Sequence, residues 1–389
     1  MQGCLQEHAR SAGFLILLLA LAGRASAFLA LEDTRHWFAF GDSWSATGYD
    51  ESRGYKTSLQ PLKTSSGGRT WLEHLSSSPA CTNLYDTQHS LAVGGATVWS
   101  GARAATLPNV SLSDQVDRFE QWFVTGTKPT RPRWRPSSTV FSIFLGTNDV
   151  AFRWWTGESI APHVQVTFPI FDAQIERLYK LGARNFVLFT IPPYERAPVV
   201  VAVNRIVGDV RPKLGASVAA WNAVLRLYAL EIPRRYPGTS AKLFDTWAWF
   251  DELLDRADEY GFLNSRGWCP LYARGLYSPV VPEQLNLDEC GVPLEQYLWY
   301  DGVHPTWAVH RLLAASVRQQ LSRKTSESQL ALPSQAELEA NFPIVQGSEE
   351  EKEETAKEYR RTVLAKEDGA PQPAPAGHSD PATLFPVLG

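Results

Sequence analysis

Cysteine is scarce in this chain. Its 389 residues include only Cys4, Cys81, Cys269 and Cys290, and no two of these have the spacing of a zinc site. There is no G-x-x-x-x-G-K-[ST], no H-E-x-x-H and no EF-hand loop, so no local motif encodes a phosphate cradle or a metal site. G-x-S-x-G is missing as well, which argues against the strained serine elbow of the α/β-hydrolases. Nor is there a surplus of one charge: 37 Lys and Arg against 41 Asp and Glu leave a net charge of −4. With no basic patch or stripe, nucleic acid is excluded as the expected partner.

Apolar runs long enough to cross a bilayer are also absent. The N-terminus carries Arg10, an apolar stretch over 13–23, and then Ala25-Ser26-Ala27. That stretch falls short of the roughly 20 residues a spanning helix needs, and it ends in the small-x-small pattern read by signal peptidase. Residues 1–27 are therefore expected to be a signal peptide, and the mature protein, starting at Phe28, to be secreted and extracellular. Three cysteines then remain. Cys269 and Cys290 bracket a loop-like stretch with Pro270, Gly275, Pro279 and Pro282. A disulfide closing it contributes about 3 kcal/mol in the chain-entropy picture. Cys81 is then the odd thiol, expected to be buried and inert. Asn109-Val110-Ser111 is an N-glycosylation triplet, which implies a surface loop able to carry a glycan.

With 44% hydrophobic residues the chain can bury a sizeable core. Runs over 36–40, 90–93, 139–145 and 185–191 read as strands, the last stopped by Pro192-Pro193. Helical spacing marks 112–123, 171–181, 218–232 and 307–321, with Gly182 as a helix stop. Alternating strands and helices predict crossover connections. The expected fold is thus a three-layer α/β/α sandwich around a mostly parallel sheet, a single domain over 28–323. Beyond Arg323, the charged run 348–354 and the proline-rich run 371–375 leave too little apolar surface to offset ordering entropy. Residues 324–389 are expected to form a disordered tail.

The informative residues lie in Gly41-Asp42-Ser43, Gly146-Thr147-Asn148-Asp149 and Asp301-Gly302-Val303-His304-Pro305. Any one of these arises by chance in about one chain in ten, but the ordered set in about one in 10,000. A serine hydroxyl is a poor nucleophile until a base takes its proton, and the base needs a group to orient it. Of the eight histidines only His304 has an aspartate, Asp301, three residues before it in a glycine-containing loop. That spacing lets the Asp301 carboxylate reach Nδ1 and leaves Nε2 to face Ser43. Pro305 and Thr306 also fit a helix start, and the two readings are compatible. Asp42 and Asp149 are assigned to structural hydrogen bonding.

With these motifs the chain resembles the SGNH, or GDSL-like, hydrolase superfamily from Trp37 to about Leu321, with Trp44 in place of the leucine of GDSL. Phe40 to Gly48, Ala92 to Thr97 and Ile191-Pro192-Pro193 are similar to the secreted fungal carbohydrate acetylesterases. The resemblance implies catalysis by Ser43, His304 and Asp301. It also implies an oxyanion hole made of the Ser43 and Gly95 backbone N–H groups and the Asn148 side-chain amide, with Gly94 as the rival to Gly95. Each such donor lowers the barrier by about 2.7–4 kcal/mol.

Aromatic side chains lie near each motif, and a flat ring can stack on a sugar face as readily as it fills a core. Trp44, Trp154 and Trp155 are the candidate substrate-binding rings, the last two forming the expected sugar platform. The reading is a serine carboxylic ester hydrolase that removes short acyl groups, above all acetyl, from plant cell-wall saccharides and calls for no metal or organic cofactor. Its partner is a small acylated saccharide or other ester. A lipase-like or broad esterase acting on longer acyl chains is the first alternative. The second is an inactive carbohydrate-binding protein that keeps the fold and its aromatic groove.

Overall fold

The computed structural model describes residues 27–57, 60, 63–102, 110–154, 159–278, 283–322, 332–344 and 347–364. The expected signal peptide, Asn109 and Trp155 lie outside them. Five short strands set the frame: β1 (His36–Gly41), β2 (Gln88–Ser90), β3 (Thr139–Phe144), β4 (Asn185–Phe189) and β5 (Ser240–Phe244). They form one sheet in the order β2-β1-β3-β4-β5, every pair parallel. The connecting helices are α1 (Trp71–Ser77), α2 (Leu112–Phe119), α3 (Thr147–Trp154), α4 (Ile160–Lys180), α5 (Pro198–Val207), α6 (Val210–Arg235) and α7 (Thr246–Asp255). After one helical turn at Pro270–Ala273 come α8 (Trp307–Leu321), α9 (Gln335–Asn341) and α10 (Glu349–Tyr359).

Parallel strands are covered on both faces, so β1, β3 and β4 read as unbroken apolar runs and not as alternating ones. Successive side chains still point to opposite faces. Phe38 packs on Phe119 of α2 at 4.8 Å between ring centres, and Phe141 packs on the same ring at 5.4 Å. On the other face Trp37 meets Trp71 of α1 at 5.8 Å. Phe244 meets Trp249 of α7 at 6.3 Å, and the Trp249 indole donates to Ser316 Oγ of α8 at 2.9 Å. Helices therefore lie on both sides, which is the expected three-layer α/β/α sandwich.

Several elements depart from the sequence reading. Strand β2 occupies 88–90, two residues earlier than expected, although the backbone beyond it still follows β1: Leu91 N donates to Ala39 O and Val93 N to Gly41 O. The helix expected over 112–123 ends at Phe119 and continues as a wider turn over Glu120–Val124. Helix α4 starts at Ile160, well before the expected 171, and ends at the expected stop, where Gly182 has φ +112°. Strand β5 had no counterpart in the sequence reading.

The expectation of disorder beyond residue 323 fails for 332–344 and 347–364. Tyr359 of α10 is fully buried in a second hydrophobic cluster with Tyr272, Leu285, Leu294, Tyr300 and Trp307. Its Oη donates to the carbonyls of Leu271 and Tyr272 at 2.9 and 3.0 Å. The helix start is closed by a capping box, in which Ser348 and Glu351 satisfy each other's backbone N–H groups, and its buried contacts are made by Ala356 and Tyr359. Cys269 and Cys290, which border the same cluster, are joined in the expected disulfide. Cys81 is a free buried thiol, and burial pushes it up to about 11. Among the described residues no helix is long and apolar enough to cross a membrane.

Candidate active site

In a doubly wound sheet of this strand order, the connections from the carboxyl ends of β1 and β3 run to opposite faces and leave a crevice between them. Ser43 follows β1 by two residues, and Asn148 lies in the first turn of α3, just after β3. The end of β1 is fixed from the side by a buried glutamine of α2. Gly41 N donates to Gln115 Oε1 at 2.9 Å, and Gln115 Nε2 donates to Gly41 O at 2.8 Å. The turn beyond it is closed by Asp42, whose Oδ1 accepts from Trp44 N at 3.0 Å. Ser65 Oγ donates to the Ser43 carbonyl at 2.9 Å.

His304 arrives from the opposite end of the chain on a loop that folds back on itself. Trp299 and Pro305 pair as an antiparallel bridge, and Tyr300 N donates to His304 O at 2.8 Å. Within this loop Asp301 Oδ1 accepts from Val303 N at 2.8 Å and from His304 N at 2.7 Å. Those bonds leave Oδ2 aimed at the imidazole, and His304 Nδ1 donates to it at 2.7 Å. Ser43 Oγ then donates to Nε2 at 2.8 Å. Thr306 begins α8 directly after the loop, so the segment is both a helix start and the carrier of His304. Ser43, Asp301 and His304 are all buried.

Burial alone would lower the His304 pKa. The adjacent Asp301 carboxylate and its hydrogen bond, joined by the charge of Asp42, outweigh that and leave it raised. Asp42 itself is pushed up to about 7, chiefly by burial, against the pull of its bond from Trp44 N and of His304. One of its oxygens, Oδ2, has no hydrogen-bond partner among the described residues. The site therefore holds a serine whose proton has an acceptor in place, and an imidazole whose protonated form is stabilised by a carboxylate. Such a series can pass a proton from an attacking hydroxyl to a leaving group.

The remaining expected donors lie on two loops that are tied together. Gly95 sits at φ +75°, a conformation open to glycine at no steric cost. Asn148 Nδ2 donates to the neighbouring Ala96 carbonyl at 2.9 Å, which engages one amide hydrogen and leaves the second. Asp149 Oδ2 accepts from Val98 N at 2.9 Å, so it holds the same loop, as the structural reading of that residue expected.

The candidate sugar-binding rings fare differently. Trp44 is 3% exposed, with its ring against Phe144, Phe250 and His310 at 5.5, 5.5 and 5.7 Å. It packs beneath the nucleophile turn as core and does not face a substrate, because that turn directs the side chain after Ser43 back towards the sheet. Trp154 is placed only as the last residue of α3. Trp299 and Tyr300 are core as well. Sequence reasoning missed Gln115, whose role depends on a contact 74 residues away in sequence and leaves no local signal.

A parallel α/β sheet with a hydrogen-bonded Ser–His–Asp series at its crevice has the parts of an acyl-transferring hydrolase. The chain belongs to the GDSL-like lipase/acylhydrolase family, which matches residues 38–317, and it is a carboxylic ester hydrolase of the SGNH type. An acetylesterase of Thermothelomyces thermophilus is 29% identical over 314 residues, covering 78% of this chain and 94% of that one. A second acetylesterase, from Hypocrea jecorina, is 22% identical over 319 residues, with 71% and 85% covered. A thermolabile hemolysin of Vibrio parahaemolyticus is 28% identical over 281 residues, covering 71% of this chain and 61% of its own length.

Proposed function

We propose that the protein is a secreted acetylesterase that removes acetyl groups from plant cell-wall saccharides through an acyl-enzyme intermediate, with Ser43 as nucleophile. The observation that carries the catalytic part is the unbroken series from Ser43 Oγ to His304 Nε2 at 2.8 Å and from His304 Nδ1 to Asp301 Oδ2 at 2.7 Å. Ser43 attacks the acyl carbon as His304 takes its proton. The N–H groups of Ser43 and Gly95 and the free amide hydrogen of Asn148 receive the developing oxyanion. His304 then protonates the leaving sugar hydroxyl, and water releases acetate by the reverse sequence. Asp301 keeps the Nδ1–H tautomer and stabilises the imidazolium. The acyl preference and secretion draw support from the two fungal relatives named acetylesterase and from the N-terminal pattern of residues 1–27. Trp154 and Trp155 remain the candidate rings for a sugar face.

The test is acetate release from acetylated xylan oligomers by the wild type and by Ser43→Ala. The variant is expected to lose at least about 1,000-fold in kcat with its fold intact. Undiminished turnover would remove Ser43 from the mechanism. Comparing acetyl with octanoyl nitrophenyl esters decides the acyl part, since a preference for octanoyl overturns it in favour of a lipase-like esterase.

A further inference from the structure

Two non-glycine residues among those described have a left-handed backbone, and one of them, Tyr277 at φ +57°, belongs to the loop closed by the Cys269–Cys290 disulfide. For a bulky side chain this conformation costs free energy and persists only where surrounding contacts impose it, most often around functional sites. Two features impose it here. Tyr277 N donates to the Thr64 carbonyl at 3.0 Å, and the next residue, Ser65, donates through its hydroxyl to the Ser43 carbonyl at 2.9 Å. The strained residue is thus tethered two steps from the nucleophile. On its other side the phenol rests on the glycine loop. A Cβ placed on Gly94 would run into the Tyr277 hydroxyl and come within 2.9 Å of Cζ. A side chain at Gly94 would therefore displace the phenol from its place beside the residue expected to supply an oxyanion donor.

The hydroxyl has no hydrogen-bond partner among the described residues. Burial raises its pKa, and the nearby charges of Asp301 and Asp42 raise it further. At neutral pH it is a protonated donor that donates to nothing among the described residues. The loop is also braced from outside: the Tyr272 hydroxyl donates to the Val292 carbonyl at 2.9 Å and accepts from Leu287 N at 3.0 Å. From α10, Tyr359 holds the carbonyls of Leu271 and Tyr272.

We propose that Tyr277 is a substrate-contacting, specificity-determining residue, its hydroxyl donating to the ester held at Ser43 and its ring closing the Gly94 side of the crevice to acyl groups longer than acetyl. This rests on the reading of Ser43 as nucleophile. The test uses two variants of the whole protein. Tyr277→Phe removes the hydroxyl alone and is expected to lower kcat/KM for nitrophenyl acetate by about 3- to 10-fold at an unchanged Tm. Tyr277→Gly adopts the positive φ without strain and removes the ring, and its Tm is measured alongside so that acyl preference is compared on folded protein. It is expected to raise the ratio of butanoyl to acetyl ester turnover by about 10-fold or more. Either effect supports the proposal. A Phe variant with full kcat/KM, together with a Gly variant whose acyl ratio is unchanged, overturns it. Ser43→Ala assayed in parallel separates the two failures. Residual turnover there withdraws the nucleophile assignment, whereas an inert Ser43→Ala beside unresponsive Tyr277 variants overturns the role of Tyr277 alone.

Discussion

The loops that carry Ser43, Gly95 and Asn148 and the segment from Cys269 to Tyr300 beside them hold their shape by different means. The first set hangs directly from the ends of β1, β2 and β3, and its members are tied by short buried hydrogen bonds such as Gln115 to Gly41 and Asn148 to Ala96. The second has no strand of its own among the described residues. It is held by a disulfide, by the second hydrophobic cluster and by the C-terminal helix α10 laid across it. In the proposed reading, the chemistry that needs sub-ångström placement falls to the rigid sheet, and substrate selection, which tolerates wider variation, to the segment held by local braces.

Substitutions in each region sharpen this contrast. On the sheet side, Asn148→Ala is expected to cost about 100- to 1,000-fold in kcat, since an oxyanion donor acts mainly in the transition state and KM moves little. A steady-state comparison on nitrophenyl acetate checks it, and a change confined to KM would recast Asn148 as a tie for the Ala96 loop only. On the braced side, replacing Cys269 and Cys290 by Ser is expected to lower stability by about 3 kcal/mol while sparing most of the acetyl turnover well below the melting temperature. Thermal melts with parallel rate measurements test this. If the double variant loses as much kcat as Asn148→Ala while still folded, the two regions are not functionally separate.

The same contrast explains what could be read from the sequence. The sheet-borne residues were legible because each sits in a short motif whose chemistry is local: a serine after Gly-Asp, an amide in Gly-Thr-Asn-Asp, a histidine three residues after Asp301. The buried strands β1, β3 and β4 were legible as apolar runs. Strand β5 was not, because Ser240–Phe244 is an edge strand buried fully only at its two ends, with Lys242 at its centre. Trp44 was misjudged because proximity in sequence to a nucleophile says nothing about which way a tight turn points the next side chain. The tail was misjudged on composition: α10 is highly charged, and its anchors are only Ala356 and Tyr359. Its Ser348-x-x-Glu351 capping signature was the available local signal. Tyr277 carries no sequence signal at all, since its position depends on a left-handed backbone and on contacts with Thr64 and Gly94.

The smallest expected effect lies within the sheet side and concerns pH. His304 works as a base only when neutral, so kcat/KM should rise with pH through a midpoint above the ordinary imidazole value of 6.5, because its pKa is raised. The charge of Asp42 is one of the causes of that rise, so Asp42→Asn is expected to move the midpoint to lower pH, with Oδ1 still accepting from Trp44 N. Stability changes in a defined direction too. The folded state keeps the Asp42 proton up to about 7, whereas the unfolded chain releases it near 3.8. Between those values the unfolded state binds fewer protons, so the buried carboxyl erodes stability as pH rises. The Tm of Asp42→Asn relative to wild type should therefore increase from pH 5 to pH 8. A variant whose pH–rate midpoint stays fixed would show that Asp301 alone sets the basicity of His304, and that Asp42 serves only to close the turn beneath Ser43.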